Sequence, residues 1–272
     1  MSSRSVLRNV TTPALIALAS LLASAGGLSS AQAQTTPRLD VPYVPTPQEV
    51  VDRMLEMAQV GPEDYLVDLG SGDGRIPITA AKRFGTRGFG VDLNPVRVKE
   101  AIANAKEAGV SDKVQFVEGD LFKTDFSQAT VLTLYLLPTV NLRLRPVILD
   151  TLKPGTRVVS HAFNMGEWKP DKSDVVENKD IYLWIVPAKV AGRWQMSDMQ
   201  GGGRTFALEL KQEFQELSGS AAVGGKSLPI RNARLEGVRI FFELGVDGQN
   251  RRYEGRVSNG RMEGDGWKAS KG

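Results

Sequence analysis

The stretch "YLVDLGSGDGRIPI", residues 65–78, constrains this chain more than any other. Its first residues are apolar and include a β-branched valine, which reads as a buried strand. Glycines at 70, 72 and 74 then make a tight turn. The residues after Gly74 open a helix, where Pro77 is tolerated because it falls in the first turn. Glycine serves such a turn in two ways. It allows φ > 0, and it lets backbone approach a ligand with no Cβ in between. The amide groups at the helix start can then face a polar or anionic group.

The rest of the chain agrees with an α/β architecture. A helix is expected from near Gln48, because Val50, Val51, Met54, Leu55 and Ala58 fall at helical spacing. Strands are expected at "RGFGVDLN", "KVQFVEGD", "TVLTLYLLP", "TRVVSHAF" and "DIYLWIVP". Between them lie the helical segments "PVRVKEAIANAKEAG" and "VNLRLRPVILDTLKPG". Such alternation implies a Rossmann-like, doubly wound, mostly parallel sheet covered on both faces. After Pro187 helical periodicity stops. Glycines at 219, 237, 255 and 264 punctuate alternating segments, and "ELSG", "RLEG", "RYEG" and "RMEG" repeat one phrase. This reads as a small antiparallel β-meander or partial barrel, with "MQGGGR" as a hairpin tip.

The N-terminus reads as an export leader. Arg4 and Arg8 precede an apolar run of small and aliphatic residues, and Ala31-Gln32-Ala33 supplies a cleavage site. Serines and glycines interrupt the run, which favours cleavage after Ala33 and a periplasmic product over an uncleaved membrane anchor. The expected organisation is a signal peptide at 1–33, a Pro-rich extended arm at 34–47, a ligand-binding domain at 48–188 and a small all-β domain at 190–272. Losing the leader takes the net charge from +3 to +1, and no basic run is present, so nucleic acid is not the expected partner. With no cysteine and one histidine, disulfides, a thiolate nucleophile and a metal centre are not expected either.

The glycine spacing narrows the ligand. Dinucleotide sites want G-x-G-x-x-G, whereas here position 75 is Arg and the pattern is G-x-G-x-G. An acidic residue, Asp68, stands two positions before the first glycine. That is the pattern of an S-adenosylmethionine site, where no pyrophosphate has to be wrapped. Asp92 ends the next strand, placed for a ribose diol, or alternatively for capping the helix at Pro95. Asp120 follows the third strand, placed for an adenine amino group, or alternatively a plain loop residue. Asp73 either joins this site, caps the following helix, or does both. Tyr135 and His161 are weak catalytic candidates at the same sheet edge, with buried structural roles as their alternatives. Asn141 and Arg143, at the start of the next helix, stand beside them only with a surface role as the alternative reading, and no catalytic base is assigned.

On "VPYVPTPQEVV", "DLGSGDGRIPI", "LYLLP" and "LRPVILDTLKPGTRVVSH", residues from about 41 to 187 resemble class I, seven-strand S-adenosylmethionine-dependent methyltransferases. More narrowly they resemble the small protein-lysine methyltransferases that act on the c-ring protein of ATP synthase and on the adenine nucleotide translocator. The resemblance implies that Thr46 and its arm close over the cofactor. It implies that Gly70, Ser71, Gly72, Asp73 and Gly74 line the methionine part, and Asp68 is counted among the cofactor-binding residues. Asp92 with Leu93 would hold the ribose, and Asp120 with Leu121 would border the adenine. The expected function is N-methylation of a protein lysine. A small-molecule methyltransferase and a non-catalytic exported binding protein are the alternatives. The β-rich tail and the leader are departures from the family pattern.

Overall fold

The computed structural model describes residues 43–199, 202–246 and 248–272. The export leader, the first part of the arm and the centre of the "MQGGGR" tip lie outside the described residues.

Four helices and seven strands form the first layer system. The helices are α1 (Gln48–Met57), α2 (Arg75–Phe84), α3 (Pro95–Glu107) and α4 (Pro138–Thr151). The strands are β1 (Tyr65–Leu69), β2 (Arg87–Asp92), β3 (Val114–Glu118), β4 (Val131–Leu134), β5 (Arg157–His161), β6 (Lys172–Val176) and β7 (Lys179–Ile185). The sheet order is β3-β2-β1-β4-β5-β7-β6. The first five strands pair in parallel, and β7 runs antiparallel to both β5 and β6.

Alternation along each strand decides what each face buries. Leu66, Val131, Val159, Ile181 and Leu183 meet Val50, Val51, Met54 and Leu55 of α1 on one side. Val67, Leu69, Leu132, Leu134 and Val158 meet Val140, Leu144 and Ile148 of α4 on the other, together with Trp168 and Trp184. The side chains of α3 pack on α2 and β3 through Ala101, Ala105, Ile78, Ala81 and Phe116.

Three local expectations need correction. The fourth strand stops at Leu134, so Tyr135 begins the connection to α4 rather than ending the strand. Strand β6 has no counterpart among the expected strands, because "KSDVV" is polar and mostly exposed, as an edge strand can be. Asn141 is fully buried, its amide donating to Ser160 Oγ and the Phe163 carbonyl, so it is not a surface residue.

The tail is antiparallel, as expected, and its strands complete a closed barrel. Its strands are β8 (Gly192–Asp198), β9 (Arg204–Glu213), β10 (Glu216–Val223), β11 (Lys226–Glu236), β12 (Arg239–Val246), β13 (Gln249–Ser258), β14 (Arg261–Gly264) and β15 (Trp267–Lys271). Each pairs antiparallel with its neighbour in sequence, and β15 pairs with β8 to close the ring. Gly237 separates β11 from β12. Closure leaves no free edge. It also buries one alternating row of apolar residues, among them Trp194, Met196, Leu208, Leu235, Phe242, Met262 and Trp267. An eight-stranded barrel is just narrow enough for side chains to fill.

Candidate active site

The direction of chain progression reverses between β1 and β4, which leaves a crevice beyond the carboxyl ends of the strands. A cleft of about 920 Å³, counting its open mouth, lies there. It is lined by the turn after β1, the ends of β2 and β3, Tyr135 and Leu136 after β4, and the arm from Tyr43 to Thr46. Thr46, Asp68, Gly70, Ser71, Gly72, Asp73, Asp92, Leu93, Asp120, Leu121 and Tyr135 all border it. Gly74 and His161 do not.

The turn is locked before anything binds. Gly70 and Ser71 donate to the Val91 carbonyl at 2.8 and 3.0 Å. Asp92 Oδ2 accepts from Gly72 N at 2.9 Å, and Asp92 Oδ1 accepts from Asn94 N at 2.8 Å. Asp92 is therefore not the cap of α3. That role falls to Asn94, whose side chain accepts from Val96 N at 3.0 Å. A bidentate carboxylate held by two backbone amides keeps lone pairs free toward the cleft.

The glycines divide their work differently from the expectation. Gly74 has φ +80°, and a Cβ there would come within 2.5 Å of the Phe116 ring and 2.9 Å of Ala101. It lets α2 pack closely and lies outside the cleft. Gly72 has φ +53°, and its Cβ would meet the Tyr43 ring at 2.6 Å. The side where a Cβ would stand faces the arm, and the residue also borders the cleft.

The arm is fastened at several points. Tyr43 lies on Gly72, hydrogen-bonds Asp73, and has the Arg97 guanidinium 4.7 Å from its ring centroid. Arg75 chelates Asp73 through Nε and Nη2, and its Nη1 donates to the Thr46 carbonyl at 2.7 Å. Burial alone would raise Asp73. The bonds and charge of Arg75, with the Tyr43 hydroxyl, outweigh it and hold the carboxyl below its ordinary range. Asp73 also accepts from Arg75 N at 3.2 Å, although Gly74 is the residue at the cap position of α2. Nothing in the sequence marks Tyr43, Arg75 or Arg97 for the cleft. An aromatic in an arm and arginines in helix first turns are common surface features.

Asp68 is buried beneath the turn and accepts from Thr133 Oγ1 at 2.7 Å. Burial pushes its pKa up to about 7. The Thr133 bond opposes this, and the charges of Asp92 and Asp73 add to it. His161 is also buried, stacked on Tyr135 with centroids 3.8 Å apart. Its Nδ1 is 3.1 Å from Thr46 Oγ1. Burial, then the nearby Lys179 charge, lower the imidazole pKa to about 4, so it is neutral at pH 7. His161 thus stands behind Tyr135 and joins it to the arm.

The donor set fits a cation-bearing nucleoside. Three carboxylates, Asp68, Asp73 and Asp92, border one side of the cleft, and only Asp73 is paired with an arginine. An ammonium and a sulfonium would relieve that excess of negative charge, and the free lone pairs of Asp92 suit a diol.

Sheet order, switch-point cleft and acidic glycine turn together define the class of Rossmann-like methyltransferases. The family described as the ANTKMT methyltransferase domain matches residues 68–172. The chain is 48% identical over 151 residues to a protein-lysine N-methyltransferase of Saccharolobus islandicus (strain REY15A), covering 54% of this chain and 94% of that protein. It is 37% identical over 134 residues to the adenine nucleotide translocase lysine N-methyltransferase of Mus musculus, covering 49% of this chain and 58% of the relative. A crystal structure of an RNA methyltransferase from Salinibacter ruber with S-adenosyl-L-homocysteine is 56% identical, with TM-score 0.53, covering 54% of this chain and 96% of that one. The chain belongs to the ANTKMT methyltransferase family, together with these lysine methyltransferases, and is an S-adenosylmethionine-dependent enzyme.

Proposed function

We propose that the protein methylates the ε-amine of a lysine in another protein, with S-adenosylmethionine held in the switch-point cleft. One observation carries this reading: carboxylates crowd one side of the cleft, while Tyr135 and Leu136, backed by a neutral His161, form an apolar wall on another. In the proposed assignment Gly70, Ser71 and Gly72 border the methionine part, with Asp68 and Asp73 facing its cationic groups. Asp92 and Leu93 take the ribose, Asp120 and Leu121 border the adenine, and Thr46 with the arm covers the site. Bound there, the cofactor supplies a methyl carbon on a positively charged sulfur, open to an uncharged amine.

Lysine has an ordinary pKa of about 10.4, so its amine must lose a proton before it can attack. A dry wall favours the uncharged form, and Tyr135 offers one hydroxyl to orient it. No covalent nucleophile is needed, since alignment at near-attack distance is the main task.

RNA is the second acceptor to test, because the Salinibacter ruber relative bears that name. The cleft itself speaks against it: Arg75 is paired with Asp73, and Arg97 with Glu100.

Calorimetry with S-adenosylmethionine, followed by transfer of labelled methyl to protein and to RNA, tests the proposal. No binding at millimolar cofactor by folded protein refutes the cofactor site. Label on RNA alone refutes the lysine reading. Label on free small molecules alone would favour a small-molecule enzyme.

We further propose the division into leader (1–33), arm (34–47), methyltransferase unit (48–188) and barrel unit (190–272), with export to the periplasm after cleavage following Ala33. No helix among the described residues is long and apolar enough to cross a membrane. Fractionation and N-terminal sequencing test this, and an intact Met1 in the cytoplasmic fraction refutes it.

A further inference from the structure

The barrel has a packed interior and touches the methyltransferase layers at defined points. The most intimate is the tip between β9 and β10. Phe214 has φ +53°, an uncommon backbone state for a bulky residue. It packs against the core on the α4 side of the sheet, not against the barrel core. Its ring stacks on Trp168, with centroids 6.2 Å apart and planes 16° apart. The Arg145 guanidinium of α4 lies 5.4 Å from its centroid. Beside it, Gln215 is buried and its Nε2 donates to the Lys169 carbonyl at 2.8 Å. The Gln215 carbonyl accepts from Leu235 N at 2.7 Å, which ties the tip back to β11.

The tip's contacts outside the barrel, Trp168, Lys169 and Arg145, belong to or hold one segment: the connection from His161 to Lys172. Arg145 Nη1 donates to the Met165 carbonyl at 2.8 Å. The Phe163 carbonyl accepts from Ser160 Oγ at 2.7 Å and Asn141 Nδ2 at 3.1 Å. The Trp168 carbonyl accepts from Trp184 Nε1 at 2.7 Å. At its start, Ala162 sits at φ +65° and Phe163 stacks on Tyr135 at 6.4 Å. The segment therefore runs from the barrel tip to the back of the aromatic wall. Anchored by α4 alone it would keep its first half. Its second half, Trp168 and Lys169, is held by Trp184 of β7 and, from the barrel, by the Phe214 ring and the Gln215 amide.

We infer that Phe214 and Gln215 are positioning residues. Through the Phe163–Lys169 segment the barrel sets the placement of Phe163, Tyr135 and His161, and so the shape of the methyl-acceptor side of the cleft. The turn and strand ends that form the cofactor side, on β1 and β2, make none of these contacts, and the arm meets this group through the Thr46–His161 bond at 3.1 Å. This rests on the reading of Tyr135 as the acceptor wall.

The test uses the whole mature chain and its single histidine as a reporter. In Phe214→Ala, the His161 Cε1 proton resonance is expected to shift or broaden, since the Tyr135 ring current acts on it at 3.8 Å stacking distance. The Kd for S-adenosylhomocysteine should stay within twofold of wild type. With poly-L-lysine as acceptor, KM should rise at least fivefold. Phe214→Tyr, which keeps the ring, should restore both readouts. Gln215→Ala, which removes the bond to the Lys169 carbonyl and leaves the Phe214 ring stack in place, should shift them in the same direction and serves if Phe214→Ala does not fold. An unmoved His161 resonance in a folded variant overturns the inference, as does a parallel loss of S-adenosylhomocysteine affinity. If wild type transfers nothing to poly-L-lysine, the lysine reading suffers, and the His161 resonance still decides the positioning role.

Discussion

His161 makes the acid stability of this protein separable group by group. Its ordinary pKa of 6.5 falls to about 4 in the folded state. In the native state it therefore holds fewer protons than in the unfolded chain between these values. Unfolding free energy then rises with pH across that window. The stabilisation is fully present above pH 6.5 and is lost as pH falls toward 4. At 1.36 kcal/mol per pKa unit, it is about 3 kcal/mol. Asp68 works the other way. Its pKa goes from 3.8 to about 7, so the folded state takes up its proton first and gains about 4 kcal/mol on acidification between those values. The wild-type profile mixes the two with the other carboxylates. The His161→Phe variant keeps a ring against Tyr135 and removes only the titration and the Thr46 bond. The lost bond is a constant offset of about 1–3 kcal/mol, whereas the titration is a slope. Urea unfolding of both proteins from pH 7 to about 4.5 isolates it. The variant should gain on wild type as pH falls, and the one histidine resonance should titrate near 4. A flat difference curve, or a midpoint near 6.5, would mean that the imidazole is hydrated, and the closed arrangement of arm, His161 and Tyr135 would fall with it.

Three further outcomes are expected. Asp68 should ionise as pH rises through about 7, so cationic S-adenosylmethionine should gain affinity over uncharged-sulfur S-adenosylhomocysteine across that range; calorimetry should find the ratio of the two dissociation constants pH-dependent in wild type and flat in Asp68→Asn. Asp92→Ala should weaken S-adenosylhomocysteine binding by about 1.5–3 kcal/mol through lost charge-assisted bonds, and a change under twofold by calorimetry rules out the ribose role. Gly74→Val should overpack Phe116 and Ala101 and cost about 1–3 kcal/mol in urea unfolding, before any cost of holding φ at +80°; a stable variant that merely fails to bind cofactor would return Gly74 to the cleft.

What the sequence disclosed follows the range of the forces involved. The turn at Gly70–Gly74, the helices and the parallel strands rest on short-range periodicity and turn chemistry, and they are legible. The place of Asp92 at the cleft is legible too, because it ends the strand after the glycine turn, whereas its bonds to Gly72 N and Asn94 N are not. Contacts between distant segments are not. Thr46 and His161 are 115 positions apart, and nothing local to either names the other. Tyr43 reads as one aromatic in a Pro-rich arm until Gly72 leaves space for its ring. Strand β6 is polar because it is an edge, so hydropathy passes over it. The barrel shows the same limit on a larger scale. Its glycine spacing announces hairpins, but only the pairing of β15 with β8 closes them. Phe214 follows from that closure. In an open meander an apolar residue at a hairpin tip would be an exposed liability. On a closed barrel docked beside α4 it has a partner in Trp168, and the tip becomes the point at which the tail can act on the catalytic layers.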